Sequence, residues 1–208
     1  MRETAKLAPW VVVFACTAAF GAALASRDVV NPWLTNTGAA IAALGLSAWL
    51  LGPRLRARLA FRPPSVLVAA GLGGLLVAAT HAAYLAATAI FPALEATVTE
   101  LYRDIESSPP GLTTALVIAI VVAAEELLWR GVAVEVLERH LPRLGVLAGA
   151  TLLYAIPQII GGSWLLVATA LALGALFTVQ RLYTSRLLEP LVTHTIWSVS
   201  VFYAIPLG

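Results

Sequence analysis

The chain has 208 residues, of which 60% are hydrophobic and 12% charged, and its formal net charge is +2. Soluble domains carry about 25% charged and about 45–50% apolar residues, so there are too few charges here to cover a water-facing surface, and a free soluble enzyme or a disordered chain is excluded. With 13 basic residues against 11 acidic ones there is no strong basic field, and no nucleic-acid partner is expected. Cys16 is the single cysteine; it sits in an apolar run, cannot form an intramolecular disulfide and reads as a buried free thiol.

A membrane-spanning helix needs roughly 17–25 mostly apolar residues. Polar punctuation marks seven stretches in chain order. They run from about Pro9 to Ala25, Thr37 to Gly52, Ser65 to Phe91, Leu112 to Trp129, Gly145 to Ile160, Trp164 to Val179 and Leu191 to Leu207. Only Gly161, Gly162 and Ser163 separate the fifth from the sixth, which predicts a tight hairpin. A signal peptide would account for the first stretch alone, and the six that follow favour an uncleaved first helix. The expected architecture is an all-α polytopic helical bundle of about seven transmembrane helices, with residues 1–208 forming a single membrane domain. No internal repeat or linker divides it.

The basic residues set the orientation. With the N-terminus cytoplasmic, the inside segments hold Arg2, Lys6, Arg54, Arg56, Arg58, Arg62, Arg130, Arg139, Arg143, Arg181 and Arg186, and the outside segments hold only Arg27 and Arg103. Such a bias is the positive-inside pattern. It puts the acidic loop after the third span (Glu95, Glu100, Asp104, Glu106) and the C-terminus outside. Gly71, Gly73 and Gly74 in the third span suit close helix packing in lipid.

Charge within a span costs at least about 2.5–3.5 kcal/mol on insertion scales, so each instance raises a functional question. In AAEELLWRG (Ala123 to Gly131), Glu125 and Glu126 point about 100° apart around a helix, while Glu126 and Arg130 share a face four residues apart, with the acid in the favourable N-terminal position. Arg130 can neutralise Glu126 and leave Glu125 to face another helix, where poor hydration makes a carboxylate a stronger base. The alternative is a helix end that has reached the interface, its charges solvated. In THTIWS, His194 and Ser198 share a face near the cytoplasmic end of the last span. On these boundaries Glu125 and His194 each lie on the order of 7 Å from the end of their span, so contact is possible, and the pair His194 and Ser198 could serve an oxyanion. An interfacial histidine bonded to a carbonyl is the plainer alternative. Tyr154 and Gln158 are four apart in the fifth span, and the Gln158 amide can hydrogen-bond but is no base. His81 in the third span reads as structural, packed against a neighbouring helix.

Glu125-Glu126-x-x-x-Arg130 in a fourth span, with a histidine motif late in the chain, resembles the CPBP family of CAAX prenyl proteases and bacteriocin-processing intramembrane endopeptidases. That family carries EExxxR, then FxxxH, then HxxxN or HxxxD, on three helices. The resemblance covers about residues 112–207. It departs at the second motif, where Tyr154 and Gln158 stand for Phe and His, and at the third, where Ser198 follows His194. The resemblance implies a water activated by Glu125, an oxyanion served by His194 and Ser198, and Gln158 orienting the water without sharing its proton, so that either Glu125 works alone or with His194, or the chain has lost activity. On these span boundaries Gln158 sits near the outer end of its helix, away from Glu125. No cofactor is implied. There is no HExxH, and a metal-free glutamate mechanism fits better than a zinc site with three protein ligands.

The expected activity is hydrolysis of a membrane protein or tail-anchored peptide at the lipid bilayer. An Ala-, Leu- and Arg-rich composition suggests a GC-rich bacterial genome and the bacterial inner membrane. That favours C-terminal anchor processing of the myxosortase type over prenyl-CAAX cleavage. The altered motifs keep open a non-catalytic immunity, chaperone or scaffold protein, and the intramembrane charges a proton-relaying transporter.

Overall fold

Proline marks several helix starts, as expected of a residue with no N–H to leave unpaired at the first turn. In the computed structural model, which describes residues 2–106 and 111–207, Pro32, Pro53 and Pro63 open helices α2 (Pro32–Leu51), α3 (Pro53–Arg58) and α4 (Pro63–Ile90) after α1 (Arg2–Ala25). The Asn31 side chain caps α2 by accepting from the backbone N–H groups of Trp33 and Leu34 at 2.9 and 3.3 Å. After α5 (Ala93–Glu106) comes α6 (Leu112–Glu125), which passes through a π-helical stretch, Glu126–Ala133, into α7 (Val134–Leu137). The chain ends with α8 (Arg143–Ile160), α9 (Trp164–Thr184), and α10 (Leu188–Val199) with a second π turn, Ser200–Ala204.

Among the described residues there is no strand, and six helices are long and apolar enough to cross a membrane. The stretch expected as a seventh span is α10 with its π turn, a 12-residue helix continued for five more, and it is not among those six. The chain is an all-α membrane bundle. The predicted hairpin between the fifth and sixth spans is present: Gly162 adopts φ +77°, a conformation other residues rarely take, and the Ser163 side chain caps α9 through Leu166 N–H. Cys16 is buried and free.

Three expectations are corrected. The fourth span does not stop at Trp129 but runs from Leu112 to Leu137, because Arg130 is wholly buried beside Glu126 and so does not mark the water boundary. Glu125 is therefore near the middle of its span rather than about one turn from its end. The acidic loop after the third span contains α5, whose Leu94, Val98, Leu101 and Tyr102 recur at helical spacing; Asp104 and Glu106, counted there, lie outside the described side chains, as do Arg2 and Lys6. Of the three glycines in α4, only Gly73 makes a close approach. A Cβ there would lie 2.9 Å from Ile196 Cβ and 3.1 Å from the Thr193 carbonyl on α10, whereas Gly71 and Gly74 face open space.

The loops gather at two ends. At one, Arg54 and Arg58 from α3 pair with Glu135 of α7 at 2.6 and 3.5 Å, Leu187 N–H donates to Arg58 O at 3.0 Å, and Arg143 donates to Leu182 O at 2.6 Å. At the other, Tyr102 of α5 donates to Val201 O at 2.6 Å and accepts from Leu207 N–H at 3.2 Å. There too the ends of α1 and α8 meet, with a Cβ on Gly161 falling 2.9 Å from Leu24 Cβ. His81 lies nearby, its ring nitrogens 2.9 Å from the carbonyls of Val77 and Ile205. It joins α4 to the C-terminal segment after the last π turn, rather than to a neighbouring helix.

Candidate active site

The two adjacent glutamates have separate surroundings. Glu126 is fully buried and receives His194 Nδ1 at 2.8 Å on Oε1, with Arg130 Nη1 at 3.3 Å from the same oxygen. Arg130 is fully buried too. Its guanidinium carbon lies 4.2 Å above the Tyr154 ring and 5.4 Å from that of Phe177, a cation–π arrangement worth more where water is absent, and Nη2 donates to Gly174 O at 3.4 Å. From behind, Arg181 Nε donates to the Arg130 carbonyl at 3.1 Å. The whole group lies in or against the π stretch, a helix variant that occurs mostly as short bulges at functional sites.

Glu125 points the other way, as expected from the 100° step between neighbours. Its Oε2 accepts from the Tyr154 hydroxyl at 3.2 Å and lies 3.7 Å from His194 Nε2. The second distance is too long for a hydrogen bond but short enough for charge to act across it. With Nδ1 held by a carboxylate, the imidazole presents Nε2 towards Glu125; such a partner fixes ring orientation and tautomer. Phe177 stacks on the ring with centroids 4.4 Å apart and planes 25° apart, and locks it in place. The plainer reading of a carbonyl-bonded interfacial histidine is thus overturned: His194 is buried and spans the two glutamates.

Helix α10 is set at this depth by neutral polar contacts. Thr193 donates to Ala69 O of α4 at 3.0 Å and accepts from Gln180 of α9 at 2.9 Å, and Trp197 Nε1 donates to Thr80 at 2.9 Å. On the other side, Gly174 lets α9 approach α8 so closely that a Cβ would fall 2.9 Å from Tyr154 Cδ1. Tyr154 is thereby pressed between Gly174, Arg130 and Trp129, whose ring it meets edge-on at 5.0 Å.

A cavity of about 270 Å³ opens from this cluster. Glu125, His194, Gln158, Ser198, Tyr154 and Trp129 are among its lining residues, and among the described residues Glu125 is the one carboxylate in that lining. Gln158 and Glu125 are thus on one chamber despite their separation on the shorter span boundaries, because Glu125 sits deeper than those boundaries allowed. The Gln158 side chain makes no hydrogen bond to Glu125; its Oε1 is buried without a hydrogen-bond partner among the described residues. Ser198 is buried one turn beyond His194 on the same wall.

All six residues singled out from sequence, Glu125, Glu126, Arg130, Gln158, His194 and Ser198, therefore lie at or directly beneath one chamber. Tyr154 was visible as a phenol in an apolar span but not as the hydrogen-bond partner of Glu125, and Phe177 and Gly174 gave no signal in their apolar run. Among the described residues no set of three His, Cys, Asp or Glu side chains is arranged to hold a metal ion.

Residues 107–200 match the family model described as type II CAAX prenyl endopeptidase Rce1-like. No curated protein and no solved structure matches the chain.

Proposed function

Through its second half this chain belongs to the CPBP family of CAAX-type intramembrane proteases, and from that premise we propose that it hydrolyses the C-terminal tail of a membrane-anchored protein in the bacterial inner membrane, with Glu125 activating the attacking water. The observation that carries this reading is that, among the described residues, Glu125 is the one carboxylate lining an intramembrane chamber, with His194 Nε2 3.7 Å away and the Tyr154 hydroxyl at 3.2 Å.

The chemistry follows from those positions. Glu125 takes a proton from water as the oxygen adds to the peptide carbonyl, a role worth typically 10²–10⁴-fold in rate. The carbonyl becomes an oxyanion, which the Ser198 hydroxyl stabilises by donation, joined by His194 Nε2–H when the ring carries both protons. When the tetrahedral intermediate collapses, the C–N bond breaks and Glu125 returns the proton to the leaving amine. Glu126 holds His194 by Nδ1, and Arg130 balances the charge of Glu126, so both act through other groups. Gln158 Oε1 can accept from the water and orient it, and the base strength resides in Glu125.

The Ala-, Leu- and Arg-rich composition supports anchor removal of the myxosortase kind over a prenylated substrate. The test is to compare membrane and secreted proteomes of cells carrying wild type or Glu125→Gln at matched protein levels. Proteins keeping a C-terminal tail only in the variant are the expected result and name the substrates. Identical tails in both would overturn the proposal.

A second reading is a non-catalytic CPBP-like membrane protein acting as immunity, chaperone or scaffold component. Gln158 at the place of the family's second-motif histidine favours it. It requires Glu125→Ala to preserve the phenotype of the wild type.

A further inference from the structure

The two ends of the bundle differ in charge, and the chamber opens towards only one of them. The end bearing residues 52–62, 138–142 and 185–187 carries Arg54, Arg56, Arg58, Arg62, Arg139 and Arg186, with Arg143 and Arg181 beside it. The bonds from Leu187 N–H to the Arg58 carbonyl and from Arg54 and Arg58 to Glu135 hold this end together. None of the residues lining the chamber comes from these loops. Beneath the chamber floor the way is closed by the Glu126–Arg130 pair, by Arg181 on the Arg130 carbonyl, and by Leu51, whose Cδ1 would lie 3.0 Å from a Cβ on Gly131.

In the other direction the lining climbs along α1, α6, α8, α9 and α10 towards the opposite end. It follows α1 from Phe20 to Leu24, two positions on one helical face that rise about 6 Å at 1.5 Å per residue, and continues to Arg27 in the turn beyond the helix. It takes in Trp33 and Asn36 at the start of α2, Leu101 of α5, and Leu166 and Thr169 at the start of α9. Arg27 is half-buried at this mouth, and on this end the sequence places only Arg27 and Arg103 as cations beside Asp28, Glu95 and Glu100.

Lysine and arginine in short loops orient a polytopic protein with its basic end in the cytoplasm. We infer that the chamber opens on the non-cytoplasmic side of the membrane, so that the segment delivered to Glu125 is one that its substrate exposes on that side. This deepens the proposed function and rests on it for the word substrate, but the direction of opening is a property of the folded chain alone. A protein whose cleavage site lies in a cytoplasmic tail would meet the closed, arginine-rich end; one whose site has crossed the membrane would meet the mouth.

The experiment is cysteine labelling in spheroplasts, with Cys16→Ala as background so that every variant carries one thiol. Asn36→Cys reports on the mouth, with Leu101→Cys as a second reporter on a different helix should the first fail to insert. Arg56→Cys, exposed on α3, reports on the basic end. A membrane-impermeant maleimide is expected to label Asn36→Cys and Leu101→Cys before lysis and Arg56→Cys only after it. Labelling of Arg56→Cys in intact spheroplasts, or protection of both mouth reporters until lysis, would overturn the inference. Neither outcome depends on activity. If the labelling holds while Glu125→Gln processes every tail normally, the catalytic reading fails and the sidedness stands.

Discussion

The chamber and the packed layer beneath it are built from neighbouring residues of one motif, yet they obey different rules. Below, Glu126, Arg130 and Arg181 are fully or almost fully buried and face protein, namely His194, the Tyr154 and Phe177 rings and backbone carbonyls, while Glu126 Oε2, Arg130 Nε and Arg181 Nη2 have no hydrogen-bond partner among the described residues. Above, the Glu125 side chain keeps 13% of its surface exposed, has one phenol donor and faces a cavity. A buried pair is costly to break because the remaining charge is left uncompensated, so the lower layer is where stability is at stake. A partly satisfied carboxylate on a cavity is where a reactant can be handled. One step of about 100° around the helix separates the two.

The sharpest way to break this contrast is at Glu125 itself. Glu125→Gln removes the base and preserves size, so tail processing is expected to fall by roughly 10²–10⁴-fold, with the thermal unfolding midpoint in detergent little changed. Arg130→Met tests the other layer. It strands Glu126 in the protein interior and is expected to cost about 3–5 kcal/mol, read as a lowered unfolding midpoint and lower yield of folded protein. Gly174→Ala adds a methyl 2.9 Å from Tyr154 Cδ1; overpacking of this kind costs about 1–3 kcal/mol, and moving the ring away from Glu125 should lower activity with it. Tyr154→Phe is the mildest. It removes one hydrogen bond, worth about 1 kcal/mol, leaves the cation–π face in place, and should reduce processing several-fold while barely moving the unfolding midpoint.

What could be read in advance follows from the solvent. Lipid leaves polar residues as the punctuation between spans, so six of the seven expected spans and the Gly162 hairpin are legible, and the i, i+4 relation of Glu126 to Arg130 tells which glutamate is neutralised. The same logic misplaced the end of the fourth span. Arg130 reads as the water boundary, whereas its charge is balanced inside the protein and the helix continues through Val132, Ala133 and Val134 to Leu137. That error produced the apparent difference in depth between Glu125 and Gln158. Helix α5 was hidden for the opposite reason: its charged face looks like a loop when hydropathy alone is weighed. The stacking of Phe177 on His194 and the approach allowed by Gly174 are tertiary facts, set by how α9 leans on α8 and α10, and nothing in an apolar run such as residues 170–179 distinguishes them.

The central claim is that adjacent glutamates divide chemistry from structure, and it is tested most directly by measuring Glu125→Gln and Glu126→Gln side by side in one membrane preparation, each for thermal unfolding and for the C-terminal tails of membrane proteins by mass spectrometry. The expected result is a split: Glu125→Gln unfolds like the wild type and leaves tails uncut, whereas Glu126→Gln unfolds at a clearly lower temperature because Arg130 has lost its counter-charge. Normal processing by Glu125→Gln at matched protein levels, or equal loss of stability in both variants, would contradict the account.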